Sequence, residues 1–326
     1  MADKLIYANT RAITKEVGLF SKERLARMIE SESLASAVKI LYEVGYGGGL
    51  VLSSADLFEE ILVEEESKVN VFFSEVKLAG FGLECFVLKR DYHNAKALLK
   101  AKYMGIADSF MLMPQGLYPA DILKSMVLEG KKGINFYLEQ AVGKLVALEL
   151  DATPSPRVID TTLDKALFED IESRLRKVKD SNVKLYFTKL ADYTNILSFL
   201  RTKKIGEKTS FLEDCFVNGG KVSLDDLTKL LDADIDEIKK AIKRWGYTEL
   251  EQFIETYNFS GIEAAIDNNL IKIFKEKGTD VFSAAPLLSY YLQKLNEIKM
   301  IRIVLVCLKN NTDLEEIYKR MRVIYA

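Results

Sequence analysis

The chain has 326 residues, about twice the usual length of a single domain, so two or three structural units are expected. Hydrophobic residues make up 48% and charged residues 29%, a globular composition that excludes a disordered chain. The 46 basic and 48 acidic residues give a net charge of −2, which excludes a global attraction to nucleic acid or anionic lipid.

Neither secretion nor a membrane span is expected. The start, Met1–Tyr7, lacks an apolar core and a small-residue cleavage site, so a cytoplasmic location is predicted. The longest stretch without Asp, Glu, Lys or Arg, Val281–Gln293, has 13 residues, whereas a span needs about 18 to 20. The cysteines are interpreted as small buried residues, because their spacing indicates neither disulfides nor zinc binding: Cys85, Cys215 and Cys307.

The first predicted elements are helices joined by a glycine-rich turn. A helix begins near Ser21, and the later run Gly45–Gly49 contains four glycines in five residues. No GK[ST] sequence follows this run and no apolar strand precedes it, so neither a P-loop nor a dinucleotide fingerprint is predicted. The run is interpreted as a flexible turn between helices.

Two helices follow, over Asp56–Val76 and Asp91–Gly105. The apolar residues of the second share one face: Tyr92, Ala95, Leu98 and Leu99. The only histidine of the chain, His93, is assigned a capping or packing role, since no partner that could orient a catalytic base is evident. The charged residues Glu64–Glu66 and Lys102 are interpreted as solvated helix surface that could contribute to the rim of a partner site.

The middle of the chain is also predicted to be helical. Pro119 marks the start of one helix, and Leu163–Val178 carries a single apolar stripe typical of an amphipathic helix. The best strand candidate, Lys144–Leu150, is ambiguous because of its length and flanking charge. With only five prolines and helical spacing of apolar residues elsewhere, the sequence predicts an all-α fold.

An internal repeat is present. Asp192–Gly206 aligns without gaps on Asp91–Gly105 and shares six of fifteen residues, where chance would give about one. Glu297 begins a third, diverged copy with the same apolar spacing. The second copy begins 101 residues after the first, and the third begins 105 residues after the second. The preceding helix repeats too, since 163–178 aligns on 262–277 and more loosely on 56–76.

Each of the first two copies continues into a turn and another helix. In the second copy Ser223 is a good N-cap, with Asp226 three residues later. The third copy ends before this point, and residues from Ser21 onward resemble those from Ser223, with Gly45-Tyr46 matching Gly246-Tyr247. We therefore expect three similar modules in a pseudo-threefold arrangement around a central funnel: residues 51–152, 153–255 and 256–326, the last completed by residues 1–50.

The sequence contains no complete motif for catalysis, cofactor binding or metal binding. Asp232, Asp234 and Asp236 open like a calcium loop, but Glu237 and Lys243 stand where Gly and Glu are required. The pair Asp225-Asp226 and the repeated Asp91, Asn94, Asp192 and Asn195 are interpreted as helix-start residues that bond backbone N–H groups or neighbouring turns. The basic residues Lys203 and Lys204 are interpreted as solvated helix surface.

Four segments together resemble one family. They are Leu88–Lys102, Tyr7–Arg11, Tyr46–Gly48 and Glu297–Val304, and their order and spacing are similar to the C subunit of prokaryotic V-type (A-type) ATPases and ATP synthases, the homologue of the eukaryotic d subunit. The similarity spans essentially the whole chain. One departure is Met300, where the copies at Asn94 and Asn195 would lead one to expect Asn.

The resemblance implies a non-catalytic rotor connector at the cytoplasmic face of the membrane. It would bind the proteolipid ring and the central axle, with no nucleic acid, cofactor or metal, and would contact the membrane only through the ring. The family supplies no partner-binding residues at the matched positions, so these stay unassigned. Two alternatives are a cytosolic helical-repeat scaffold for another protein, and an all-helical enzyme that would depend on His93 or on Asp225-Asp226.

Overall fold

The described part of the chain is mainly helical. The computed structural model describes residues 2–76, 80–105, 112–148 and 153–322, and within these ranges it has no β-strand. The all-α prediction is confirmed. In chain order the α-helices are α1 Ala2–Glu16, α2 Lys22–Ile29, α3 Leu34–Glu43, α4 Phe58–Glu75, α5 Glu84–Met104, α6 Ala120–Glu129, α7 Phe136–Leu148, α8 Pro156–Leu175, α9 Ser181–Ile205, α10 Thr209–Cys215, α11 Leu224–Lys229, α12 Ile235–Trp245, α13 Glu251–Ile254, α14 Phe259–Lys275, α15 Ala285–Lys309 and α16 Leu314–Lys319.

The helices form two compact units. The first unit comprises the described residues of 1–78 and 242–326, and the second those of 79–241. Helix α12 contains residues of both. Across the described ranges, no helix is both long enough and apolar enough to cross a membrane.

Helix α15 is the centre of the first unit. Helices α1, α4 and α14 pack along it, and its apolar face is buried at the repeat positions Ile298, Ile301, Val304 and Leu305. Aromatic pairs join α4 to α15, since the ring of Phe73 stacks on Tyr291 with centroids 4.0 Å apart. Such pairs contribute about 0.5–1.5 kcal/mol beyond the area they bury.

Helices α5, α7 and α8 form the core of the second unit. Ser155 caps α8 by accepting from the backbone N–H of Val158, and Pro156 occupies the first turn, where its missing N–H costs nothing. Ion pairs fix α5 against α8 at two successive turns: Lys96 Nζ lies 2.6 Å from Asp164, and Lys100 Nζ lies 2.7 Å from Asp160. The apolar stripe predicted for α8 is its buried face.

The structure decides the ambiguous strand candidate and corrects two local predictions. The strand candidate is helical up to the end of α7 at Leu148, because its apolar residues complete a helix face that packs on α8; residues 149–150 lie outside the described residues. Helix α8 ends at Leu175, three residues before the predicted boundary. Of the cysteines, Cys85 and Cys307 are buried as predicted, whereas Cys215 is half-buried.

Candidate functional site: carboxylates that anchor turns

The repeated residues of α9 hold a turn of the backbone. The Asp192 carboxylate accepts the N–H groups of Lys221 at 2.7 Å and Val222 at 2.8 Å. One helical turn later, the Asn195 side chain donates to the Val217 carbonyl and accepts the Val217 N–H, both at 2.9 Å. Both side chains are fully buried. Because unpaired N–H groups in such a place would cost about 1–3 kcal/mol each, these bonds fix the path of residues 217–222.

Helix α5 repeats this geometry. The Asp91 carboxylate accepts the N–H groups of Leu117 at 2.8 Å and Tyr118 at 3.1 Å. Asn94 exchanges two hydrogen bonds with the backbone of Met113, at 2.9 and 2.7 Å. The two helices therefore use the same residue pair, at the same spacing, for the same purpose.

A glycine faces each of these two carboxylates. A Cβ atom on Gly116 or Gly220 would lie only 2.9 Å from the carboxyl carbon of Asp91 or Asp192, and closer still to one carboxylate oxygen. Neither glycine has a positive φ. They are needed because the backbone approaches the carboxylate closely.

In the third copy a glutamate does the same with another part of the chain. The Glu297 carboxylate of α15 accepts the N–H of Phe20 at 2.6 Å, and the Tyr46 hydroxyl donates to it. In place of the asparagine, the Met300 sulfur accepts the N–H of Arg322 at 3.1 Å. Sulfur is a weak acceptor that makes only this one bond, where an asparagine exchanges two.

The three carboxylates act at equivalent points of the chain. We call Asp91, Asp192 and Glu297 the turn-anchoring carboxylates. Each accepts the N–H of the residue that immediately precedes the N-cap of a short helix: Tyr118 before α6, Val222 before α11 and Phe20 before α2. Ser21 and Ser223 cap their helices through the side chain, so the predicted N-cap at Ser223 is confirmed.

The predicted role of these residues was half right. They do bond neighbouring turns, but they are not helix-start residues, since α5 begins at Glu84 and α9 at Ser181. Helix α5 extends about two turns, and α9 about three turns, further toward the N-terminus than the repeat, because the alignment detects the turn-anchoring side chains rather than the helix ends.

A buried lysine compensates the third turn-anchoring carboxylate. Lys294 Nζ lies 2.7 Å from Glu297, 3.2 Å from Glu65 and 3.0 Å from the Tyr46 hydroxyl, and it lies over the Tyr46 ring. Burial, followed by the charge of Glu297, raises the pKa of Tyr46 well above its usual value. Glu65 was therefore wrongly assigned to ordinary solvated surface. The triplet Glu64–Glu66 gave no signal that its middle member faces inward.

A polar network extends the anchoring of the first turn into α8. Asn135 donates to the Asp170 carboxylate at 2.6 Å, and Arg174 Nε donates to it at 2.6 Å. Arg174 and Asn135 also reach the hydroxyl of Tyr118, at 3.3 and 3.4 Å. Burial works against the charged guanidinium, but the hydrogen bond and charge of Asp170 outweigh it and raise the pKa of Arg174.

Protonation of Asp91 should make stability depend on pH. Burial raises its pKa from 3.8 to about 6, although the N–H groups of Leu117 and Tyr118 oppose the shift. Between these two values the native state binds more protons than the unfolded state, so the contribution of Asp91 to stability falls as pH rises from 4 to 7, by about 2 kcal/mol. The loss of unfolding free energy caused by Asp91→Asn should therefore be larger at pH 4 than at pH 7.

Urea unfolding of both proteins at the two pH values measures this difference, and a ¹³C NMR titration of the Asp91 carboxyl should show a midpoint near 6. A midpoint near 4, with an Asn substitution whose cost does not change with pH, would contradict the prediction.

The other candidate residues have structural positions. The capping or packing role predicted for His93 is wrong, since this residue is exposed in the middle of α5. Asp225 and Asp226 lie in the first turn of α11, as predicted. Asp234 accepts the N–H of Glu237 at the start of α12. Lys203 is not merely solvated, since its Nζ donates to the carbonyls of Leu231 and Ala233 at 2.6 and 2.7 Å. No cluster of metal-binding side chains occurs among the residues that the structure describes.

These features define an all-helical protein in which three buried carboxylates accept backbone N–H groups ahead of short helices. The family described as ATP synthase (C/AC39) subunit matches residues 8–320. The chain belongs to this family, and the resemblance inferred from its sequence is confirmed. It is therefore a non-catalytic subunit of the V-type or A-type rotary ATPases and ATP synthases.

Curated relatives match nearly end to end. The C subunit of the V-type sodium ATPase of Enterococcus hirae is 22% identical, over 95% of this chain and 96% of the relative. The C subunit of the A-type ATP synthase of Methanocaldococcus jannaschii is 24% identical over 95% of this chain and 84% of the relative. That of Pyrococcus furiosus is 24% identical over 91% and 85%.

Proposed function

We propose that this subunit is the central-stalk connector of its rotary complex, joining the central axle of the ATP-handling head to the proteolipid ring at the cytoplasmic face of the membrane. Membership of the C/AC39 family carries the proposal. Torque transfer requires a stiff body between two partners, because a connector that deforms stores the rotation instead of transmitting it. Close-packed helices with fixed turns have that property.

We further propose that the chain is built from three modules around a funnel, residues 51–152, 153–255 and 256–326, the last completed by residues 1–50. The three turn-anchoring carboxylates support the triplication. The bonds from Phe20 and Tyr46 to Glu297 support the completion, since they attach residues near the start of the chain to α15. Attachment of the first residues to the last long helix suits a body that must resist torsion.

The proposal is tested by removing this subunit from the purified complex. We expect the head to keep hydrolysing ATP while ATP-driven ion uptake into vesicles is lost, and the head to sediment separately from the ring. Adding back the wild-type chain should restore both association and uptake. If head and ring stay associated and coupled without it, the connector role is wrong, and a scaffold for another protein becomes the better interpretation.

A further inference from the structure

A cleft of about 250 Å³ opens in the second unit between the C-terminal half of α8 and the N-terminal half of α9. Its walls are mainly apolar, with Phe168, Ile171 and Leu175 on α8 and Phe187 on α9. Two exposed cations, Arg176 and Lys184, lie on opposite walls. The turn that Asp192 anchors closes one end at Asn218 and Gly219. Apolar walls with a few polar groups at the rim are typical of binding sites.

The internal repeat identifies the equivalent place in the first unit. Leu163–Val178 aligns on Ile262–Lys277, and Asp192 aligns on Glu297, so Arg176 corresponds to Lys275, Lys184 to Ser289 and Thr188 to Gln293. Phe20 and Val222 donate to equivalent carboxylates immediately before an N-cap serine, so Glu16 corresponds to Asn218. All four residues of the second unit in this correspondence line the cleft: Arg176, Lys184, Thr188 and Asn218.

In the first unit this place is filled by the end of α1. The Glu16 carboxylate accepts from Ser289 at 2.8 Å and from the Gln293 amide, and it lies 4.0 Å from Lys275 Nζ. Helix α1 runs along α15 and buries Leu5, Ala8 and Ala12, residues at helical spacing. A carboxylate at the end of an apolar helix face thus binds the residues that correspond to those of the cleft.

Among the described residues of the second unit, no helix occupies this place. Helix α10 precedes Asn218 in the chain, and it packs near the N-terminus of α8, away from the cleft. There Arg157 of α8 lies 3.0 Å from Asp214 of α10. Leu175 is consequently only half-buried, whereas the corresponding Phe274 is fully buried. Glu172 reaches Arg176 at 3.6 Å, which leaves the charges of the rim with an excess of one cation.

We propose that this cleft docks an amphipathic helix of a partner protein, with an acidic residue at the end of its apolar face that binds Lys184 and Arg176. The helix would lie along α9 as α1 lies along α15. Apolar area supplies the binding, and the carboxylate fixes the register because it must meet the two cations. This inference does not depend on the connector role.

The test uses a peptide of residues 2–20 of this chain as the probe, labelled with a fluorophore and titrated with the full-length protein by fluorescence anisotropy. We expect saturable binding that weakens at least tenfold with the double variant R176E/K184E, or with a peptide that carries Glu16→Gln. The double variant K177E/K179E, an equal charge change on two exposed residues that do not line the cleft, should change the affinity less than twofold. Far-UV circular dichroism should show that all variants are folded.

Three results would overturn the proposal. One is the absence of binding, and another is binding that the double variant does not weaken, which would mean that the peptide displaces α1 in the first unit. The third is full competition by octanoate at equal concentration, which would make the cleft a site for small amphipathic carboxylates. Protection of residues 168–188 from amide hydrogen exchange when the peptide binds would support helix docking.

Discussion

Replacing Gly220 by alanine should destabilise the second unit by about 4 kcal/mol. The added methyl group would overlap the Asp192 carboxylate, which is buried and bonded to the N–H groups of Lys221 and Val222. Either the turn moves and those N–H groups lose their acceptor, or the carboxylate moves and is itself left unpaired. Urea unfolding followed by far-UV circular dichroism measures the loss.

Two further variants separate this contact from a general effect of alanine. Gly143 is an exposed residue inside α7 with nothing near its missing Cβ, so Gly143→Ala should stabilise the protein by up to about 1 kcal/mol. The double variant Asp192→Ala/Gly220→Ala removes the overlapping oxygen. Its loss should fall short of the sum of the single losses by about 2 kcal/mol. If the stability losses of the two single variants add up to that of the double variant, Gly220 is not required by the nearby Asp192 carboxylate.

Helices and their buried faces could be predicted from the sequence because they depend on local spacing. The apolar residues that define the repeat, among them Tyr92, Tyr193 and Ile298, are all buried. The sequence also predicts that Asp91 and Asp192 bond neighbouring turns, because repetition of a polar pair at equal spacing favours a structural role. The helix starts were missed because about two further turns of α5 and three of α9 precede these pairs without any repeat signal.

The buried charges of the third copy could not be predicted. Lys294, Glu297 and Glu65 come from two helices more than 200 residues apart in sequence, and each has the charge expected of solvated helix surface. Only the folded chain shows that they meet. Local periodicity reports which face of a helix is apolar, but it carries no information on which charged residue of another element lies opposite.

Lys294→Met should cost about 3–5 kcal/mol of the first unit's stability. The lysine is buried, and it is the cation that lies between the carboxylates of Glu297 and Glu65. Methionine keeps most of the side-chain volume, so the loss reports the charge and not a cavity. Two carboxylates would then lie together with no cation between them, and one of them accepts the Phe20 N–H.

The matched control is on the same helix. Lys299 forms a 2.7 Å ion pair with Asp267 at the surface of α15, and Lys299→Met should cost no more than about 1 kcal/mol, because water screens exposed pairs. The single tryptophan, Trp245, belongs to the first unit and reports its unfolding by fluorescence. Hydrogen exchange should quicken at Phe20 in the Lys294 variant but not in the Lys299 variant, since only Lys294 compensates the carboxylate that accepts that N–H. If the two variants lose equal unfolding free energy, the buried ion pairs of Lys294 do not stabilise the contact of α15 with the residues around Phe20.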